Sequence, residues 1–454
     1  MADRKSRVFR IKKIELTTLF DQKFDIRDLV ADFEYHESIE AAFIRCDINI
    51  VDARDFNKGL AGGEIIDIEI ETNSGDDRPL KHQLRIYKIG SIIKSERGQI
   101  YRLHCVSPEM YNNEVYKVFR AFGPGKGAKD VPSVPKFICK EYLKAPNNKI
   151  RNKNFEGHSK ITFISPSWRP VEAITYMSDK VTRLNNSKAS NKQSGFLFFE
   201  NREGFQFKSI DSLCEGNGSE SPKYRYTYQQ QGADPGQDGL FVIESIQYPD
   251  KGNHLKHMRM GTYKNISQGI SLPMPTNNFA TSSGKSGKNS PAGVIHGPRV
   301  QTYKTVFQKA STIHKHLPFE EPVDMQDENT PPTRQKIRVL PGLKNQGTVS
   351  AQTNADGGST PDIDTMAAAE YAAGRYNLLQ AINLNIVVPG NTGLTAGQLV
   401  EVVIPASEQE GENVQEDKKY SGDYLVAGLT HVFKREGITT KLYLVRDSIK
   451  KPSY

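Results

Sequence analysis

From Leu384 to Arg446 apolar and polar residues alternate at period two, and turn-forming residues interrupt the alternation at regular intervals. Successive side chains of a strand point to opposite faces, so this pattern restricts the segment to half-buried β-strands. Leu384, Ile386 and Val388 fall on one face, and Pro389-Gly390-Asn391 stops that strand. Leu399 to Ile404 follows Gly397 as a second strand. After a charged loop, Tyr424 to Phe433 is predicted to set Leu425, Ala427, Leu429 and Phe433 on one side. Leu442 and Leu444 then face the same way across the turn at Glu436-Gly437. Three or four antiparallel strands in a row make one half of a small β-barrel.

The 454-residue chain is too long for one core and predicts about three or four domains. A hydrophobic fraction of 37%, with plentiful Gly, Asn and Ser, suits strands and long loops rather than a helical bundle. No window approaches the ~18 apolar residues of a membrane-crossing helix, and Met-Ala-Asp-Arg-Lys-Ser-Arg has no apolar signal segment behind it. Cys46, Cys105, Cys139 and Cys214 form no CxxC pair and read as free thilos of a reducing cytoplasm. The net charge of +8 comes from 61 basic residues mixed with 53 acidic ones. A dedicated DNA binder concentrates its basic charge on one element. Here Arg151 to Lys153, Lys285 to Lys288 and Lys450-Lys451 are short runs, read as solvated surface.

A second strand-rich block opens the chain. Val8 to Leu16, Ala42 to Val51, Glu64 to Thr72, Leu84 to Ile93 and Gln99 to Val106 alternate, the last two as a hairpin around Arg97-Gly98. These strands predict a self-contained antiparallel barrel. Phe24 to Ser38 departs from clean alternation and is read as a segment crossing between strands. Character changes at Pro108. A helix is predicted within Glu109 to Phe122, a second from Pro170 to Leu184 with Ile174, Met177, Val181 and Leu184 on one face, and a hairpin in Gly195 to Ile210 around Asn201 to Gly204. Strands return at Tyr224 to Tyr228, Leu240 to Tyr248 and His254 to Tyr263 as the first half of a second barrel. Its other half is Leu384 to Arg446. Between them lies an insertion of roughly 100 residues, with Gly, Ser, Thr and Asn concentrated in Thr276 to Gly297 and Lys344 to Pro361. Such composition buries too little apolar surface to order itself without a partner. A helix from Asp362 to Ala381 leads into the strand at Leu384.

Two stretches carry a family resemblance. One is Asn391-Thr-Gly-Leu-Thr-Ala-Gly397-Gln-Leu-Val with Ser421-Gly-Asp-Tyr424-Leu-Val and Leu429-Thr-His-Val-Phe433; the other is Phe198-Phe-Glu-Asn-Arg-Glu-Gly-Phe-Gln-Phe-Lys-Ser209. They resemble the second tube-barrel half and the α/β-domain hairpin of baseplate central hub proteins of contractile-tailed phages, a family related to the N-terminal part of type VI secretion spike proteins. The resemblance follows the element order of most of the chain, and the insertion from Asn265 to Pro361 has no clear counterpart in it. It implies a mainly β fold with α+β insertions: two antiparallel tube-type β-barrels plus two smaller α/β domains. The expected division is 1–107 for the first barrel, 108–221 for an α/β domain, 222–264 with 362–448 for the discontinuous second barrel, and 265–361 for a loop-rich insertion. It further implies a structural virion protein made in the host cytoplasm: a homotrimeric hub joining the spike to the tail tube or tube-initiator protein and surrounding the passage for tape measure protein and DNA. Baseplate wedge proteins are the expected neighbours, no membrane insertion is expected, and DNA is only passing cargo. Spikes of the type VI kind continue past the second barrel, whereas this sequence stops at Tyr454, so the spike is expected to be another polypeptide.

No constellation in the sequence predicts an enzyme, a cofactor or a metal. Gly284-Lys-Ser lacks the glycine that a phosphate-binding loop needs five residues before its GK, where Phe279 stands. His254 with His257 and His314 with His316 could each offer two metal ligands, yet no cysteine or carboxylate pattern completes a site. His431 reads as a hydrogen-bonded sheet residue, Glu320-Glu321 as adjacent carboxylates in a Pro-rich loop, and Glu408 to Asp417 as a solvated hairpin loop. No residue is therefore assigned as catalytic, cofactor-binding or metal-binding. A tail-tube or type VI spike component, a DNA-binding protein and a tail-associated wall hydrolase are the alternative readings.

Overall fold

The computed structural model describes residues 9–450 except 54–55, 73–78, 96–97, 124–130, 158–159, 162, 186–187, 217–221, 223, 229–240, 250–253, 272–293, 320–330, 341–348, 351–364 and 407–415. The chain is mainly β. A 15-stranded sheet contains both strand-rich blocks. At the N-terminal end, Val30–Ser38, Arg45–Asp52, Gly98–Val106, Leu80–Ile89, Ile65–Thr72 and Phe9–Thr17 pair antiparallel in that spatial order. The alternation in their sequences turns Ile14, Tyr35, Ile48, Ile68, Leu84 and Leu103 inward.

The second block closes into a ring. Leu399–Val403, Gly422–Lys434, Gly437–Arg446 and Ile382–Pro389 pair antiparallel. Val242–Ile243 and Ser245–Gln247 follow one another along the chain and close the circle, the first pairing with Tyr224–Tyr228 and the second with Ile382–Pro389. Tyr224–Tyr228 runs parallel to both of its neighbours, including Leu399–Val403. Leu384, Ile386, Val388, Leu442 and Leu444 fill the interior, and one continuous apolar cluster runs through both barrels.

Two expectations about this sheet need correction. Leu425 and Ala427 do not share a face with Leu429 and Phe433. The register shifts between Val426 and Gly428, and such a bulge inverts which side chains point inward. Tyr424 and Val426 therefore face the barrel core, as do Leu429 and Phe433 beyond the bulge, while Leu425 and Ala427 pack outward against Phe199, Ile210 and Leu213. Phe24 to Ser38 is also more than a crossing segment. It begins within the short strand Lys23–Asp25 and ends in Val30–Ser38, which pairs with Gly422–Lys434 of the second barrel.

In the α/β region, helix Glu109–Val115 ends earlier than expected and Val118–Phe122 is a strand paired with Phe163–Trp168. The β-branched and aromatic residues there find backbone partners across the sheet, which overrides helical spacing. The expected helix to Leu184 runs only over Pro170–Thr175. The chain continues through turns closed by Met177 N to Ile174 O and Lys180 N to Met177 O, yet Ile174, Met177 and Val181 still reach one core. Phe196–Asn201 and Gly204–Ser209 form the expected hairpin. Its Phe198 and Phe205 rings stack 5.6 Å apart, and Phe196, Phe198, Phe205 and Phe207 are buried.

His254–Met260 is a helix, not a strand. Met258 packs on Tyr263 and Tyr303 instead of a sheet, while Leu255, about one turn before it, faces solvent. The insertion contains more regular structure than its composition suggests: Lys264–Ser271 lies between antiparallel Val294–Thr302 and parallel Arg334–Leu340. Thr276 to Gly297 lies outside the described residues up to the strand start at Val294, and Lys344 to Pro361 does so except for Val349–Ser350. Helix Thr365–Leu379 leads into strand Ile382–Pro389 as expected.

Candidate functional site: the joint between the barrels

The joint is built where Val30–Ser38 meets Gly422–Lys434, with Phe33 opposite Phe433 and Tyr35 opposite His431. The alternation of Phe33, Tyr35 and Glu37 sends all three inward. Phe33 and Phe433 stack at 4.3 Å, and Phe9 meets Phe433 edge-on at 5.3 Å. Burial of Phe33 and of Phe433 contributes about 1.5–3 kcal/mol each.

Glu37 is 3% exposed and is the polar centre of the joint. Tyr35 Oη donates to its Oε1 at 2.8 Å, Arg202 N donates to Oε1 at 2.7 Å, and Ala396 N donates to Oε2 at 2.9 Å. The three donors come from the first barrel, the phenylalanine hairpin and the entry loop of the second barrel. Desolvation raises the Glu37 carboxyl to about 7 against the pull of these hydrogen bonds. His82 Nε2 lies 3.0 Å from Tyr35 Oη. Burial pushes His82 and His431 down to about 3 each, aided by the charge of nearby Lys149 and Arg202 on His82 and of Arg202 on His431.

Arg202 sits at the hairpin turn and reaches both barrels, donating to Thr392 O at 2.5 Å and to Pro79 O at 3.3 Å. Asn201 Nδ2 donates to Ala396 O at 3.0 Å. Gly397 follows at φ +86°, a left-handed conformation that L side chains rarely adopt, and a Cβ there would stand 3.0 Å from Phe199 Cζ. The residues that carried the family resemblance thus meet at one place. Their sequence spacing alone could not show it.

A second tie lies behind the joint. Arg375, on helix Thr365–Leu379, is fully buried between Asp211, 3.1 Å from its Nε, and Asp447, 2.7 Å from its Nη1. Its Nη2 donates to Ser311 O at 3.0 Å. Tyr371 Oη adds a bond to Asp211 Oδ2 at 3.0 Å. Burial alone raises Asp211 and lowers Arg375; attraction to the two carboxylates outweighs burial for the arginine, which ends well above its ordinary value. In the α/β region Lys149 bridges Glu109 and Glu200 at 2.9 and 2.8 Å.

The singled-out histidines are dispersed. His431 Nδ1 lies 2.9 Å from Thr440 Oγ1 inside the second barrel. His314 Nε2 accepts from Asp423 N at 3.0 Å, and His316 exchanges backbone hydrogen bonds with Ile449. His254 Nδ1 lies 2.5 Å from Tyr263 Oη, and His257 packs on Tyr263 and Phe319. Gly284-Lys-Ser, Glu320-Glu321 and most of Glu408 to Asp417 lie outside the described residues. Cys46, Cys105, Cys139 and Cys214 are free and buried.

One cluster was missed in the sequence: Glu34, His36 and Asp47 converge on the outer face of the joint. Glu34 and His36, two apart on a strand, are the available signal, hidden because the sequence from Phe24 to Ser38 departs from clean alternation.

No protein-family model matches the chain, and no curated protein matches it. Solved structures do. The tail protein from Neisseria meningitidis MC58 is similar over 96% of each chain, at 12% identity and a TM-score of 0.49. The 43 kDa tail protein of prophage MuSo2 from Shewanella oneidensis is similar over 96% of this chain and 99% of its own, at 10% identity and a TM-score of 0.49. A type VI secretion component of E. coli, itself structurally similar to T4 bacteriophage tail proteins, covers 98% of this chain and is covered over 79% of its own, at 8% identity and a TM-score of 0.39. The first two are tail proteins and the third belongs to a secretion system.

Proposed function

We propose that the chain is a structural, non-enzymatic hub of a contractile phage tail, acting as a homotrimer that joins a spike to the tail tube and encloses the passage for tape measure protein and DNA. The observation that carries this reading is the antiparallel pairing of Val30–Ser38 with Gly422–Lys434. It makes two barrels into one continuous sheet, side by side rather than loosely tethered. Three such chains present six similar barrel surfaces around an axis, and closed cyclic symmetry is the usual arrangement of identical subunits. The four-part division at 107, 221, 264 and 361 belongs to the same proposal, as do the virion location and the tube, spike and wedge partners. In this reading the buried polar groups of the joint are ties between parts of the scaffold. Among the described residues no helix is long and apolar enough to cross a membrane.

Imaging of assembled baseplates tests the proposal. The expected result is three copies in a ring, with the two barrels of each chain side by side around the tube axis. Six copies, or barrels of one chain stacked along the axis, would overturn it. Peptidoglycan release by the purified chain would instead support the wall-hydrolase reading.

A further inference from the structure

Along Val30–Ser38, Glu34 and His36 occupy the outer face, opposite the buried Phe33, Tyr35 and Glu37. Asp47 lies on the adjoining strand and is the direct cross-strand partner of Glu34. Two carboxylates placed opposite each other repel, and Arg102 beside Asp47, with Arg45 and Lys441 near His36, offsets part of that repulsion. His36 Nε2 stands 3.9 Å from Glu34 Oε2 and 4.0 Å from Asp47 Oδ2, and one ligand-type atom of each residue lies within 4.8 Å of the other two.

The far sides of these groups are held by neighbours. His36 Nδ1 is 2.9 Å from Thr430 Oγ1, which leaves Nε2 turned toward the carboxylates. Asp47 Oδ1 is 2.7 Å from His104 Nδ1, which leaves Oδ2 turned toward the cluster. Arg102 Nη1 approaches that same oxygen only to 3.9 Å, and its Nε donates to Asn49 Oδ1 at 2.8 Å. Outer-shell hydrogen bonds of this kind orient ligands in metal centres. His36 and Thr430 also line a groove of about 470 Å³, with Lys441 and Tyr443 further along it. Glu34, His36 and Asp47 are themselves half-buried, with side-chain exposures of 27%, 32% and 24%, so water reaches the coordination positions that three protein ligands leave open.

We propose that Glu34, His36 and Asp47 bind one divalent transition-metal ion of the zinc class. A tetrahedral ion with ligand bonds of ~2.0–2.2 Å holds its ligand atoms ~3.4 Å apart, so the two His36–carboxylate separations need to close by roughly half an ångström and the carboxylate pair, within 4.8 Å, by at most about 1.4 Å. An imidazole nitrogen among the three donors favours zinc over magnesium or calcium, which select oxygen. The ligands belong to the first barrel and the Thr430 tie to the second. The ion therefore braces the joint at its outer surface, while Glu37 ties it from within.

Equilibrium dialysis of the untagged full chain against Zn²⁺, followed by elemental analysis and a thermal melt, tests this. One zinc per chain is expected, with a higher melting temperature and no displacement by comparable Mg²⁺ or Ca²⁺. His36→Gln, which can still bond Thr430, and Glu34→Gln should each weaken zinc binding by about tenfold or more, with the metal-free circular dichroism unchanged. No retained zinc, zinc displaced by Mg²⁺ or Ca²⁺, or zinc binding that neither substitution alters would overturn the proposal. Retained zinc would also correct the sequence expectation of no metal, and it leaves the hub reading to its own test, the copy number in the baseplate.

Discussion

Phe33 and Phe433, 400 positions apart by number, are directly paired across two strands with their rings stacked at 4.3 Å and 11°. One residue belongs to the first barrel and the other to the second, so this contact is where two cores become one. Substituting either by alanine removes a large buried ring and is expected to cost about 3–5 kcal/mol. In a double-mutant cycle by urea unfolding, the pair should show about 0.5–1.5 kcal/mol of coupling. Strict additivity would mean that the barrels do not share a core.

The Glu37 carboxyl makes stability depend on pH. Its folded value, about 7, lies above its ordinary value of 4.5, so the folded chain holds a proton that the unfolded chain releases. Its stabilising effect is complete below pH 4.5, declines as pH rises toward 7, and is then constant. The whole change is roughly 3 kcal/mol. Buried His82 and His431, neutral when folded and protonated when unfolded, make stability rise with pH over the same window, so the Glu37 effect is read as the difference between wild type and Glu37→Gln in denaturant unfolding between pH 4.5 and 7.5. That difference should fall as pH rises, and a difference that rises would contradict the assignment.

Arg202 should separate folding from joining. Arg202→Ala removes the side-chain bonds to Thr392 O and Pro79 O while leaving its backbone N–H to Glu37. We expect a stability loss of about 1–3 kcal/mol, near-native circular dichroism, and a clear defect in ring assembly seen by electron microscopy. Normal assembly would show that this arginine does not set the angle between the barrels.

Arg375→Met leaves Asp211 and Asp447 buried without their common cation. Breaking a buried pair in this way costs about 3–5 kcal/mol, because the remaining charges have no water to turn to. A thermal melt should show a large fall, and Asp211→Asn combined with Asp447→Asn should recover part of it. A neutral Arg375→Met would mean that solvent reaches the site.

Alternation by itself determined much of this protein: which segments are strands, the inward residues Leu384, Ile386, Val388, Leu442 and Leu444, and the phenylalanine hairpin at Asn201 to Gly204. Side-chain polarity at period two is a local property, and burial of one face enforces it directly. Where a short apolar run satisfies both helix and strand spacing, as in Val118–Phe122 and His254–Met260, local pattern cannot choose; the available partners did. The bulge after Val426 is one residue of extra length, and only a paired neighbour reveals it. Glu37, Arg202 and Ala396 converge although they lie far apart in sequence, as do Glu34, His36 and Asp47 with Thr430 behind them. Nothing in the residues near Glu37 specifies its partners, because a buried carboxyl and an exposed one are the same letter. Desolvation, and with it the pKa and the joint, arises only when the second barrel closes over the first.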